Sequence, residues 1–424
     1  MEPGLGKTRI ALEVARRARR TLVVAPPNPC EFVWPEQHRE WANDMRFDMV
    51  TGDVPASERY RRLIKDPPEV AVMNFELLHW LYDVVRTKRR LPYEALIIDE
   101  SGGMKNPDSV AFRVMKAIEG VFDAVVPMNG TPAENSLHDV WSQLYVVDQG
   151  QALGPRIGVF RERYFQYVMR ENYGSWKCIR PAELRLAAAP LCFVRRTTDC
   201  VDMPKLSFRD VHFQLSNAER KFYDRMKDDS VVPIDEPYTL QNAGVVLDKL
   251  RQVTSGFVYD EDRNAVMVGK SKVRALREAL EESSGQPTLV GYWYRGSMER
   301  IKSEFDEDFA VINRHTPSNE KRAILSDWRH GRLKILLGQI HNVAKGLNMQ
   351  SPSSASVCFY DMPWSHGLHW QFIRRVWRLG QTSAVIARRL IARCTVDGYV
   401  ARVLRKKQET EDDFMTTILE EELI

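Results

Sequence analysis

Apolar residues along this chain gather into short continuous runs and do not alternate with polar ones. "TLVVAP" (21–26), "VAVMNF" (70–75), "ALIID" (95–99) and "AVVPM" (124–128) are such runs, each ended by proline or a polar residue. Unbroken runs of this length predict strands covered on both faces, as in a parallel sheet. Between them the apolar spacing lengthens to that of a helix. The first helix is read from Lys7 or Thr8, with Ile10, Val14 and nearby alanines on its apolar face. Residues 151–205 change character: "VFRERYFQYVMRENYGSWK" is aromatic and basic, and predicts a helical insertion. The earlier rhythm returns with "TLVGYWY" (288–294), "FAVIN" (309–313), "KILLG" (334–338), "SVCFYDMP" (356–363) and "AVIARRLIA" (384–392). Strands alternating with helices predict an α/β fold. The domains expected are a parallel-sheet domain at 1–150, the insertion at 151–205, a second parallel-sheet domain at 206–400 and a helical tail at 401–424.

Composition narrows the class without naming a task. With 424 residues the chain can hold two or three domains, at roughly 150 residues each. Its 44% hydrophobic and 28% charged residues are those of a globular protein. No run approaches the ~18 apolar residues of a membrane span, and no signal-peptide core opens the chain, so a cytoplasmic location is expected. The six cysteines are scattered, with neither a C-x-x-C pair nor zinc spacing, which argues for reduced thiols. The net charge of +4 is small, but "RRARR" (16–20), "RTKRR" (86–90) and "RKK" (405–407) are clusters. Solvated helix faces account for most such runs; beside a nucleotide motor they would suit a polyanion.

Three stretches carry chemistry. Gly4-Leu5-Gly6-Lys7-Thr8 opens the first helix. Glycines let backbone N–H groups curl round phosphate oxygens at the positive end of a helix. Lys7 would reach the β- and γ-phosphates of a bound nucleotide, and the Thr8 hydroxyl would hold Mg²⁺. "LIIDES" ends a strand in Asp99 and Glu100; Asp99 would serve the metal, and Glu100 would orient and deprotonate a water. In "NGTPAEN" (129–135), Thr131 at a strand end could sense the γ-phosphate; a plain turn built on Gly130 and Pro132 is the alternative. "QFIRRVWRLGQ" (371–381) sets Gln371, Arg375 and Arg378 on one helix face. Two arginines on one stripe suit the developing charge of phosphoryl transfer, and also suit an ordinary salt-bridged face.

In order and spacing these segments resemble the Swi/Snf-type DNA translocases of helicase superfamily two, in their small bacteriophage form. "EPGLGKT" is similar to that family's motif I and "LVVAPPNPCEFVWPEQHREW" to motif Ia. "DESGGMKNP" is similar to motif II, "NGTPAENSLHDVWSQLYVVDQGQALG" to motif III, and "LVGYWYRGSMERI" to motif IV. "KGLNMQ" (345–350) matches motif V and "QFIRRVWRLGQ" motif VI. The resemblance implies two RecA-like domains with ATP between them and double-stranded DNA, read with weak sequence preference, across both. It assigns Gly4, Leu5, Gly6, Lys7, Thr8 and Gly346 to the nucleotide, Thr8 and Asp99 to Mg²⁺, and Asp99 and Glu100 to hydrolysis. Arg375 and Arg378 match arginine fingers with Gln371 beside them, and Thr131 couples ATP state to DNA. Backbone contacts are expected from Pro26, Asn74, Arg314, His315 and Thr316, with Asn348 and Gln350 in motif V.

The chain departs from the family pattern in three places. Motif II continues Ser101-Gly102 where many relatives have Ala-His, which removes the histidine that links hydrolysis to motif III. Pro3 stands for the usual methionine of motif I. The family's adenine-reading segment and first strand lie upstream of motif I, so the expectation is a first domain lacking both, with a gap inside its sheet. Two other readings stay open: a strand-separating helicase on RNA or forked DNA, and a hydrolysis-deficient DNA-binding scaffold.

Overall fold

The computed structural model describes residues 1–424 except 89, 171–172, 230–239, 284, 306–308, 348, 350–355 and 423–424. After α1 (Lys7–Arg17), lobe 1 contains β1 (Thr21–Ala25), β2 (Phe47–Val50), β3 (Val70–Asn74), β4 (Ala95–Asp99) and β5 (Ala124–Met128). All pairings are parallel, in the order β2-β3-β1-β4-β5. The three central strands β1, β3 and β4 are buried at every position, as their unbroken apolar runs require. Leu22, Val24, Met73 and Ile98 face one core, whereas Val23, Val72 and Ile97 face a second with Ala11, Leu12 and Ala15 of α1.

Two expectations for lobe 1 change. The sheet has no internal gap, because β1 pairs with both β3 and β4. Its open ladder is instead the edge at β5, where Pro127 is tolerated because an edge strand can do without one N–H. On α1 the buried stripe is Ala11, Leu12 and Ala15, while Ile10 is exposed and lines an apolar cavity beside β5 with Val14 and Val125.

The 151–205 segment is helical at Ile157–Tyr164 and Pro181–Ala188. Between them, however, β6 (Phe165–Arg170) and β7 (Tyr173–Cys178) form an antiparallel hairpin. In lobe 2, β8 (Leu206–Phe213) precedes a small hairpin of β9 (Phe257–Tyr259) and β10 (Ala265–Met267). The remaining strands are β11 (Thr288–Tyr292), β12 (Ala310–Ile312), β13 (Ile335–Gln339), β14 (Ser356–Phe359) and β15 (Val385–Ala392). With β8 they build a six-stranded parallel sheet, β12-β13-β11-β14-β15-β8. The chain is thus an α/β protein with two parallel-sheet, RecA-like lobes.

Two later helices tie the lobes. α2 (His366–Ile373) carries the motif VI residues to the cleft. α3 (Val396–Glu422) is not a separate tail. Its first half gives Val396, Val400 and Leu404 to the lobe 2 core, and its second half gives Phe414, Met415 and Ile418 to the lobe 1 core. At 27 residues it reaches ~40 Å, enough to strap one lobe to the other. Among the described residues no helix is long and apolar enough to cross a membrane.

Candidate active site in the cleft between the lobes

Gly4 and Gly6 take φ of 92° and 75°, the left-handed region, and turn the chain into the first turn of α1. Lys7 and Thr8 therefore stand at a helix N-terminus, where backbone N–H groups favour an anion. The Lys7 Nζ donates to the Met1 carbonyl at 3.2 Å. Burial pulls its ammonium below the usual lysine range, against the opposing pull of Glu100 and Asp99; Arg375 and Arg374 push the same way as burial.

Asp99 ends β4 and Glu100 follows at φ 54°, a conformation costing a residue with a Cβ ~1–2 kcal/mol. Strain of this kind recurs at functional sites. The Trp34 Nε1 donates to Asp99 Oδ2 at 3.1 Å. Burial pushes the Asp99 carboxyl up to about 6, with the Glu100 charge adding and Lys7 opposing. The Gln371 Nε2, on α2 of the other lobe, donates to Glu100 Oε2 at 3.0 Å.

Arg375 is buried. Its Nε donates to the Gln371 carbonyl at 3.1 Å and its Nη1 to the Leu347 carbonyl at 2.9 Å, so motif V holds it in place. Burial lowers its guanidinium to about 10; Arg378 adds to the fall, while Glu100 and Asp99 oppose it. Arg378 lies over the phosphate loop, its Cβ 3.6 Å from where a Cβ on Gly4 would stand. The structure therefore brings Lys7, Asp99, Glu100, Gln371, Arg375 and Arg378 to one cleft. Arg374, which no sequence motif singles out, donates from Nε to the Pro3 carbonyl at 3.2 Å and from Nη2 to Thr197 Oγ1.

Thr131 is buried, its Oγ1 has no hydrogen-bond partner among the described residues, and Gly367 of α2 packs against it: a Cβ there would meet Thr131 Oγ1 at 2.8 Å. Where many relatives have the motif II histidine, this chain makes a different contact. Ser101 Oγ donates to Gln143 Oε1 at 2.9 Å, and Asn129 Nδ2 donates to the same oxygen at 2.7 Å. The Gln143 Nε2 in turn donates to the carbonyls of Pro132 and Asp139. One buried glutamine thus joins motif II to motif III, while the histidine itself is absent as expected.

The residues expected on DNA stand at C-terminal strand ends. Pro26 follows β1 and Asn74 ends β3, its Nδ2 on Glu76 Oε2 at 3.3 Å. Arg314 and His315 are exposed after β12, whereas Thr316 is buried and its hydroxyl closes its own loop by accepting from Asn313 N at 3.0 Å. Asn348 and Gln350 lie outside the described residues. Gly346, at φ 73°, sits on the lobe interface: a Cβ there would stand 2.5 Å from Pro29 N. Beside it, Asn28 Nδ2 donates to the carbonyls of Asn342 and Lys345 at 2.7 and 3.1 Å.

The SNF2-related domain matches residues 2–261, more than half of the chain, and the helicase conserved C-terminal domain matches 271–380. The chain belongs to the SNF2-related family. With that family it is an ATP-dependent enzyme of helicase superfamily two. Protein p41 of Acyrthosiphon pisum secondary endosymbiont phage 1 is 25% identical over 96% of this chain and 92% of its own. An ATP-dependent helicase of Mycoplasma genitalium is 24% identical over 100% of this chain. This SNF2-related chain spans only 41% of that helicase's length. A solved structure, the Sulfolobus solfataricus SWI2/SNF2 ATPase core in complex with dsDNA, is 19% identical, covers 98% of this chain and 87% of its own, and superposes with a TM-score of 0.41.

Proposed function

We propose that this SNF2-related protein hydrolyses ATP with Mg²⁺ to move along double-stranded DNA. The observation that carries this reading is the charge gathered where the lobes meet. Burial disfavours the ionised forms of Lys7, Arg375 and Arg378; Lys7 and Arg375 lie near Asp99 and Glu100, and Arg378 lies over Gly4 of the phosphate loop. A triphosphate is the polyanion that balances them.

Lys7 and the N-terminus of α1 bind the β- and γ-phosphates. Arg375 and Arg378, from the other lobe, neutralise charge on the γ-phosphate as the P–O bond breaks. Gln371 fixes the Glu100 carboxylate, which orients the attacking water. A hydroxyl and a carboxylate are oxygen donors that suit Mg²⁺, and Thr8 with Asp99 would hold it. Among the described residues no group of three or more His, Cys, Asp or Glu could hold a metal, and Mg²⁺ on phosphates needs only one or two protein oxygens. The metal would offset the charge burial resists at Asp99 and polarise the phosphate oxygens.

Because nucleotide groups come from both lobes, closure assembles the site and product release lets it open, which gives alternate grips on DNA. The DNA contacts assigned to Pro26, Asn74 and Arg314 rest on their place at strand ends and on the family. Phosphate contacts would make binding weakly sequence-specific and steeply salt-dependent. The phage relative suits action in the cytoplasm of a bacterial host. Lys7→Ala and Glu100→Gln should abolish DNA-stimulated ATPase while DNA binding persists. Displacement of a triplex strand without duplex unwinding should mark translocation. Normal turnover in either variant defeats the site assignment, and unwinding without triplex displacement favours a strand-separating helicase.

A further inference from the structure

The β6–β7 hairpin leaves the body of lobe 1 with its apolar face partly uncovered. Tyr167 pairs with Trp176 and Phe165 with Cys178, so these four side chains share one face. At the base, Phe165 is buried against Phe160 and His138, with ring centroids 5.1 and 5.4 Å apart. Farther out the same face meets solvent: Tyr167 is 51% exposed, Trp176 40% and Met169 69%.

These exposed rings are held in place. The Tyr167 and Trp176 centroids are 5.1 Å apart. Gly174 leaves room for the Tyr167 ring, since a Cβ there would stand 2.6 Å from its Cε1. The Arg161 guanidinium lies 5.1 Å over the Trp176 ring, its Nε donating to His138 Nε2 at 3.0 Å. Burial, with Arg161 adding, lowers the His138 imidazole to about 4, so it stays a neutral acceptor at pH 7.

The surroundings are basic. Residues 156–186 contain seven Arg and Lys against three Glu, the same surplus of four that the entire chain carries. Arg163, Lys177 and Arg180 are exposed on or beside the hairpin. A protein-docking patch is normally depleted of charge at its centre. Fixed aromatic faces interleaved with cations are what unpaired nucleotides require, rings for the bases and cations for the phosphates.

We infer that Tyr167 and Trp176, with Arg161 and Lys177, form a docking surface for the unpaired bases of a nucleic-acid strand. Bases inside a duplex are stacked and cannot use it. The surface therefore adds to duplex tracking a preference for a fork, gap or frayed end. It requires no ATP and is independent of the cleft.

The test is fluorescence anisotropy without nucleotide at one fixed salt concentration. The probes are a forked duplex with unpaired thymidine arms and a blunt duplex of equal length. The parent protein should bind the fork more tightly. A Tyr167→Ala/Trp176→Ala double variant should lose about ten-fold on the fork, as expected for one or two lost stacking partners. Its affinity for the blunt duplex should stay within about two-fold, because the phosphate contacts remain. Trp176→Phe, which keeps a ring, should retain most of the preference. An unchanged fork-to-blunt ratio in the double variant overturns the inference, as does a parent with no preference. A parent dimer in sedimentation that the double variant dissolves assigns the face to a second copy and overturns it too.

Discussion

Gly346→Ala tests whether the site depends on the fit between the lobes. Gly346 holds φ 73° and faces Pro29 of lobe 1, where a new Cβ would stand 2.5 Å from the backbone nitrogen and 2.6 Å from the ring Cγ. Ordinary carbon contacts lie at about 3.5–4.0 Å, so loop and lobe must part by roughly 1 Å. The left-handed conformation itself costs an alanine ~1–2 kcal/mol. Separation stretches the Asn28 bonds to the Asn342 and Lys345 carbonyls, each worth ~0.5–1.5 kcal/mol net. The conformational cost falls on open and closed forms alike, so it is the two stretched bonds that disfavour the closed arrangement, by about 2 kcal/mol or roughly thirty-fold in population.

The matched control is Gly285→Ala. Gly285 has φ 74° and nothing within 4 Å of the added carbon. It bears the conformational cost alone, with no effect on closure. Steady-state ATPase should show Gly346→Ala losing about thirty-fold in turnover, with ATP binding to lobe 1 far less affected. Gly285→Ala should lower the denaturation midpoint and leave turnover near the parent value. Equal turnover in the two variants would refute the claim that lobe contact at motif V assembles the site.

Three further predictions concern buried groups. Gln143→Leu strips the shared acceptor from Ser101 and Asn129; single-turnover kinetics should show ATP binding kept and hydrolysis at least about ten-fold slower, leaving a buried donor unpaired being worth ~1–3 kcal/mol. Phe414→Ala removes the fully buried anchor of α3 in lobe 1, and urea unfolding should record a loss of ~3–5 kcal/mol. Glu411 is buried, accepts from Ala133 N at 2.8 Å, and is raised from 4.5 to about 8 by burial and then by Asp412 and Asp139. A raised carboxyl stabilises fully below its unfolded value and loses that contribution as pH climbs through its folded value. Stability should therefore fall between about pH 4.5 and 8, and Glu411→Gln should flatten that slope in denaturation at several pH values.

Legibility in the sequence followed the physics of each element. Strands buried on both faces, such as Val70–Asn74 and Ala95–Asp99, are unbroken apolar runs and stand out. β2 is four residues with an aspartate inside, and β8 is an edge strand interrupted by an exposed Arg209 and by Asp210, which pairs with Arg389, so neither shows such a run. The hairpin escaped because Tyr167, Met169 and Trp176 do not alternate toward a core; their face leaves it. In the cleft, Lys7, Asp99, Glu100, Gln371 and Arg375 were readable because their chemistry depends on residue type at a fixed spacing. Arg374 and Asn28 were not, because they bond backbone carbonyls 371 and 314 or more residues away, and a carbonyl leaves no trace in sequence. Gln143 had a visible partial signal: Ser101 in place of alanine brought a hydroxyl that needs a buried partner.

The two sides of the junction between the lobes differ in kind, and this bears on how a cycle can run. On the cleft side many of the contacts are polar, among them Gln371 on Glu100, Asn28 on two carbonyls, Arg374 on Pro3 and Ser365 on Glu134, with Phe32 packed on the lobe 2 core. Each polar contact is worth ~0.5–1.5 kcal/mol net, or ~1.5–3 where a charge takes part, and water can replace it when the lobes part. On the far side α3 inserts Phe414, Met415 and Ile418 into the lobe 1 core, at ~1.5–3 kcal/mol for each fully buried chain. Nothing in solvent substitutes for that burial. Opening that releases product therefore breaks the cleft contacts first and keeps the strap, so the lobes stay tethered and their relative motion is confined to the nucleotide side. A strap cut between Leu404 and Phe414 should leave Val396, Val400 and Leu404 in the lobe 2 core, detach the lobe 1 anchors and uncouple the lobes, lowering turnover more than ATP affinity. Equal losses in the two would place α3 among the supports of the nucleotide pocket itself and remove the tether from this account.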